Sequence, residues 1–362
     1  MKTLFLYIIL LSTVVSASAQ INVGTKIDIK IAAGKISEKL HQEIRAAQAY
    51  FILRPADRDH REQIAAILEE VWTVSDIALI DEEQVCELPS SGKYLFFDID
   101  RSITSRARSN APGPFPSAAE RARYRSNPVS RVLIPYFHLH LWLRGAEQPY
   151  KKKELAALEE EGQEPYTRYE KRTIARVEVH GYNPYSHFNP DYDVYTENYD
   201  IPCQPSPYGS NIYQNMRPGF LKNYLQEINR RLTNKETRFL YAESELDTEL
   251  QRLKYDTLFV PEYALDEFRA SIARKKRRNG ETLFDDYDFP YSVISSEALS
   301  DKILQEETPF YYLACVRNNH DTAFYSVVNS KTGVIIYSDF KHKRRVFNRL
   351  EIEKLSDQIG RS

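Results

Sequence analysis

The sequence predicts an α/β (or α+β) fold made of a duplicated unit: strand, helix, strand, short helix, strand, then a hairpin and a helix, on mixed sheets. Three observations predict it. Short apolar runs alternate with segments of helical period. That alternation occurs twice, in the same order. Hairpin signals then close each unit, which argues against a purely parallel, doubly wound sheet.

The expected boundaries are a signal peptide over 1–19, a first α/β domain over 20–235 with insertions at about 101–131 and 182–215, and a second over 236–362. The signal peptide rests on a basic start (Met1, Lys2), an apolar run over 4–15 and a small-residue end, SASA, over 16–19. Cleavage after Ala19 leaves Gln20 first, and no cysteine stands there to take a lipid anchor. The apolar run falls short of the ~18 residues of a membrane span. No later segment reaches that length either. The expectation is an exported chain, periplasmic or secreted, that does not span a membrane once the signal is removed.

In the first unit, YFILRP over 50–55 is an apolar run stopped by proline, hence a strand. Ile64, Ile67, Leu68, Val71 and Trp72 then fall on one helical face. Residues 77–80 (IALI) form a second strand, and Asp81 with Gln84 gives a capping-box start to a short helix. A third strand covers 94–99. Residues 132–143 and 173–179 are two further strands, and Leu221, Tyr224, Leu225, Ile228 and Leu232 mark a helix.

The second unit repeats the order. A strand at 257–261 stops at a proline, and Ala264, Leu265, Phe268 and Ile272 mark a helix. A strand follows at 291–294, then Ser295 or Ser296 caps a helix carrying Leu299 and Ile303. The third strand is 310–316. Residues 324–328 and 334–338 form a hairpin whose loop ends in Gly333, a residue free to turn left-handed. Asn348 and Glu351 open a last helix with Ile352, Leu355 and Ile359. Residues 79–83 align with 293–297 without a gap, and the third strands align Asp98 with Cys315 and Asp100 with Arg317.

The insertions differ from the units. Residues 101–131 hold seven arginines, no lysine and one acid, with Pro112, Pro114 and Pro116, and read as a loop. Residues 151–164 are a charged link. Residues 182–213 are crowded with Tyr, Asn, Asp and five prolines, which forbid regular structure there.

Net charge is −2, so nothing draws the whole chain to nucleic acid. Three cysteines (Cys86, Cys203, Cys315) allow at most one bridge. No Asn-x-Ser/Thr sequon occurs, which leans toward a bacterial envelope. No phosphate-cradling loop or nucleophile elbow is present, and no cofactor is expected.

Two constellations carry possible chemistry. The run LFFDID over 95–100 resembles the nucleophile strand of haloacid-dehalogenase-type phosphatases, with Asp98 as nucleophile and Asp100 as acid/base around a magnesium ion. Its context departs from that family, because the strand comes third and the fifth loop position is Ser102 rather than Thr or Val. The reading that the context favours is that both acids mark a strand end, solvated or paired with the following arginines. His138 and His140 share one face of a strand, a spacing that suits a metal and equally an exposed polar face. For binding, Arg106, Arg108, Arg121, Arg123 and Arg125 offer bidentate donors to an acidic partner. Tyr182, Tyr185, Tyr192 and Tyr195 offer rigid amphipathic contact area.

The hairpin NSKTGVIIYS over 329–338, with the strand FYYL over 310–313 before it, resembles a segment of small bacterial envelope α/β domains. These include the periplasmic domain of curli-secretion channels, the N-terminal domain of the Tol translocation β-propeller protein, and lipoprotein activators of penicillin-binding proteins. The resemblance implies a binding or assembly module without catalytic residues. The expected function is therefore an exported non-enzymatic protein that contacts an envelope protein or glycan. The alternative is a metal-dependent envelope hydrolase using Asp98 and Asp100.

Overall fold

Two six-stranded mixed sheets organise the chain. The computed structural model describes residues 20–25, 34–89, 91–109, 129–160, 168–179, 213–240, 244–245, 247–265, 283–317, 322–342 and 349–361.

The first sheet is built from β1 (Ile21–Val23), β2 (Gln48–Leu53), β3 (Ile77–Asp81), β4 (Tyr94–Ser109), β5 (Val129–Gln148) and β6 (Arg168–Glu178), in the order β1-β6-β5-β4-β2-β3. Strand β2 runs parallel to β3 and β4, and the other neighbours are antiparallel. The second sheet holds β7 (Ser244–Glu245), β8 (Leu258–Pro261), β9 (Tyr291–Ile294), β10 (Tyr311–Arg317), β11 (Thr322–Asn329) and β12 (Ile335–His342). Its order is β7-β12-β11-β10-β8-β9. Here β8 is parallel to β9 and β10, and the rest are antiparallel. The two sheets thus have the same order and the same senses.

Local chemistry explains the elements. In β2, Ala49, Phe51 and Leu53 face the core at every second residue. Helix α1 (Glu38–Ala46) is capped by Ser37, whose side chain accepts from Leu40 N. Helix α2 (Arg61–Val71) buries Ile64, Ile67, Leu68 and Val71, the stripe its periodicity predicts. Asp81 and Gln84 form the capping box of a 3₁₀ turn over Glu82–Glu87. Two more helices, α3 (Lys152–Glu160) and α4 (Pro218–Thr233), follow in the first unit. A short α5 (Asp247–Leu250) leads into the second. There Ser295 caps α6 (Ser296–Gln305), and α7 (Arg349–Arg361) ends the chain. Gly333 takes φ +67°, the left-handed turn its position in the hairpin requires.

The structure corrects several expectations. Residues 101–109 and 129–131 are not loop: β4 and β5 pair continuously from Leu95 with Leu143 out to Ser109 with Val129. The prolines that suggested a loop fall at 112–116, while the flanks 101–109 and 129–131 hold no proline or glycine to interrupt a ladder. The reading of Asp98 and Asp100 as a strand end fails with it, because β4 continues to Ser109. The charged link becomes α3, since Lys, Glu, Ala and Leu are strong helix formers. Helix α1 and strand β1 escaped the sequence reading. The remaining residues of 101–131, all of 180–212 and residues 266–272 of the helix expected over 264–272 lie outside the described residues, while 264 and 265 are helical.

The strand match also shifts by one residue. Ala49 pairs with Ile77 and Leu95, and Leu258 pairs with Tyr291 and Tyr311. Since 77 corresponds to 291, 95 corresponds to 311, and Asp98 falls at Ala314 rather than Cys315. Burial agrees: Cys315 faces the core under α7, on the opposite side of its sheet from Ala314.

Helix α4 joins the two units. It packs on the first sheet through Leu221, Tyr224, Leu225 and Ile228, and meets α6 with its first turn. Gly219 N donates to Ser300 Oγ at 3.0 Å, and Phe220 lies edge-on to Tyr312 at 5.7 Å. Asn223 accepts from Tyr312 OH at 3.0 Å and donates to Ser330 O at 2.8 Å. Phe310, Tyr312, Ala314, Val328 and Ile335 of the second sheet thereby enter the same core as the first. The second core lies on the other face, under α7.

Cys86, in the 3₁₀ turn, is disulfide-bonded, and Cys315 is a buried free thiol.

Candidate functional site

The outer face of the first sheet carries a polar ladder where a half-buried strand usually shows solvated side chains. Strand β5 sends Leu139, Leu141 and Leu143 into the core, so His138, His140, Trp142 and Arg144 share the opposite face. Register supplies their neighbours. Asp98 lies opposite His140 and Asp100 opposite His138 on β4. Glu178, Arg176 and Thr173 lie opposite His138, His140 and Trp142 on β6. The acidic pair and the histidine pair, read separately from the sequence, are thus cross-strand neighbours.

The contacts are specific. Trp142 Nε1 donates to Asp98 Oδ2 at 3.1 Å. Lys171 Nζ stands 4.0 Å from the same oxygen and 4.8 Å from the Trp142 ring. His140 Nε2 lies 3.0 Å from Thr173 Oγ1. The His138 and His140 rings stand 5.5 Å apart at 67°. Arg176 and Glu178 form an ion pair at 2.6 Å, with Glu178 fully buried. Both histidines are buried as well. A buried ion pair and buried imidazoles are costly unless they are matched, so the ladder is a built feature.

At the other end of the ladder, Arg144 is buried among rings. Its guanidinium carbon lies 4.6 Å from the Tyr169 centroid, 4.9 Å from Tyr94 and 5.2 Å from Phe96. The β5–β6 register shifts here, between Arg144 and Glu147, and such bulges re-aim side chains.

As chemistry, Asp98 is engaged by an indole and an ammonium. The His140 imidazole stands within proton-transfer reach of the Thr173 hydroxyl. No group of three or more potential metal ligands converges among the described residues. Of the binding candidates, Arg106 pairs with Val132 and Arg108 with Ser130 in the β4–β5 ladder. Arg121, Arg123, Arg125, Tyr182, Tyr185, Tyr192 and Tyr195 lie outside the described residues. Arg144, Arg176 and Glu178 were not singled out by sequence. Their available signal was the parity shared with His138 and His140 on β5, and on β6 the alternation of Arg176 and Glu178 with Ala175 and Val177.

No family model, curated protein or solved structure matches the chain. No described helix is long and apolar enough to cross a membrane.

Proposed function

We propose that this chain is an exported, non-enzymatic binding or assembly protein of a cell envelope, made by internal duplication, whose first unit contacts a protein or a glycan. One observation carries the reading: the β4–β5 ribbon. From Asp98 to Ser109, β4 pairs only with β5 among the described residues, and from Val129 to Phe137, β5 pairs only with β4. Two strands continued past the sheet that anchors them present backbone edges for a partner. The ribbon carries Arg106 and Arg108 and holds the rest of the arginine-rich insertion between its strands. The identical strand order of the two sheets supports duplication. The disulfide at Cys86 supports an oxidising compartment. The hairpin over 329–338 supports kinship with envelope assembly domains.

The test is co-sedimentation of purified protein with isolated bacterial envelopes. Arg106→Ala/Arg108→Ala and a deletion of 106–125 are expected to abolish it with unchanged melting. Retained co-sedimentation in both variants sinks the reading.

A second reading, a metal-dependent phosphatase-like hydrolase, is favoured by the register that sets Asp98 and Asp100 against His140 and His138. Phosphomonoester hydrolysis with magnesium that disappears in Asp98→Asn would establish it in place of the first.

A further inference from the structure

The bulge that breaks the β5–β6 register sits beside a cavity of about 220 Å³, at the end of the polar ladder. Its lining includes Glu43 from α1, Lys93 before β4, Arg144 and Gly145 from β5, and Tyr169 and Arg172 from β6. Three cationic side chains therefore converge against the Glu43 carboxylate, with the Glu170 carboxylate close to Gly145. Glu43 engages one side of Arg172, at 2.7 Å from Nη2. The Nε of Arg172 and the Tyr169 hydroxyl are buried and have no hydrogen-bond partner, and the buried Glu43 Oε2, though ion-paired with Arg172, also has none. Two buried donors left unmatched at one cavity are costly to a fold that gains nothing from them.

The backbone is shaped for this opening. A Cβ on Gly145 would meet Glu170 O at 2.8 Å, so only glycine lets the bulged strand pass β6 this closely. The ring cage fixes the Arg144 guanidinium beside the cavity, so its charge is held in place before any ligand arrives. The volume exceeds several times the ~30 Å³ share of a water molecule. It accommodates one oxyanion group with part of what carries it.

We propose that this cavity is a binding site for a small oxyanion group: a phosphate, sulfate or carboxylate, free or borne on a sugar. Arg172 Nε and the Tyr169 hydroxyl donate to its oxygens, Lys93 closes over it from the exposed rim, and Arg144 supplies fixed positive charge. The site stands apart from the ribbon and does not depend on it.

The test is calorimetric titration and thermal shift of the full protein with inorganic phosphate, sulfate and glucuronate, against chloride at equal ionic strength. Saturable binding of at least one oxyanion is expected, with a melting rise that chloride does not give. Preference for glucuronate identifies a glycan carboxylate, and preference for phosphate or sulfate identifies the inorganic group or its ester. Arg172→Gln and Lys93→Gln are each expected to weaken binding about tenfold, the scale of one charge-assisted hydrogen bond. Tyr169→Phe is expected to weaken it severalfold while the melting temperature in chloride holds or rises, since the unmatched hydroxyl is gone. Lys93 is exposed, so its variant folds even where the Arg172 variant does not. No saturable binding, or binding unaltered in the Lys93 and Tyr169 variants, overturns the proposal.

Discussion

Glu227 is a fully buried carboxylate on α4 that three guanidiniums surround. Arg230, Arg231 and Arg238 approach its oxygens at 2.7, 2.9 and 3.2 Å. Burial alone pushes its carboxyl up, but Arg238, Arg231 and Arg230 together outweigh burial and hold it below the ordinary value. Burial in turn brings the Arg238 guanidinium down to about 10, against the pull of Glu227. A carboxyl depressed by folding contributes stability above its unfolded value, and that contribution is lost as pH falls through the folded value. Glu227→Gln is therefore expected to lower stability by about 3–5 kcal/mol at neutral pH, by leaving Arg238 buried and unmatched. The deficit should shrink as pH drops below the ordinary 4.5. Urea midpoints across pH 3–7 measure both; a deficit constant with pH counts against the ion-pair account. The spacing of Arg230 and Arg231 from Glu227 is legible on a helix, but the full cluster is not, because Arg238 reaches it from a segment bridged to Val23. Asp81, Ser295 and Gly333 were legible, since a cap or a tight turn is decided within four residues.

Elements were legible where one periodicity covered them. Helices α2, α4 and α6 show their buried stripe in sequence, and β2 and β3 end at a proline or a capping box. The ribbon was not legible, because composition averaged over 101–131 merges strand-forming flanks with a proline-rich centre. Neither was β1, whose three residues gain their place by pairing with β6 and through the bridge from Val23 to Arg238. The histidine pair and the acidic pair were each visible, but their meeting depends on β4–β5 register, which the hairpin's long connection leaves unspecified in sequence. Contacts between elements set the next expectation. A Cβ on Gly219 would come within 2.2 Å of Ser300 O, so α4 and α6 touch there backbone to backbone. Gly219→Ala must push the helices apart, at a cost of about 1–3 kcal/mol or more. Gly360, whose added Cβ would meet nothing, is the control: Gly360→Ala should leave stability equal or higher. Chemical denaturation compares the two; equal stability of both variants would show that the crossing yields.

Over the whole molecule, two features decide what counts as a unit. Cys86 is bonded and Cys315 is a free buried thiol in a chain of three cysteines. A non-reducing peptide map is expected to recover Cys86 in a disulfide-linked peptide and Cys315 with its thiol unlinked; an unlinked Cys86 peptide refutes it. The second feature is the shared core. The division expected near residue 235 rests on each unit repeating its own order of elements. What the order could not reveal is that the units do not each close their own core. Phe310, Tyr312, Ala314, Val328 and Ile335 pack with Phe220, Leu299 and Ile303 in one continuous interior. Tyr312 is fully buried and hydrogen-bonds Asn223 across the junction. Cutting the chain at 235 would expose that face and strand the Tyr312 hydroxyl, a cost of about 1–3 kcal/mol for the polar group alone. Each large apolar side chain uncovered adds about 1.5–3 kcal/mol. Several such losses equal the whole margin of a typical domain, about 5–15 kcal/mol. Residues 236–362 expressed alone are therefore expected to bind a hydrophobic dye and to lack a cooperative thermal transition. The intact protein should unfold in one transition, with calorimetric and van't Hoff enthalpies in agreement. Two resolved transitions, or a cooperatively folded 236–362 fragment, would mean that α4 joins two independent domains.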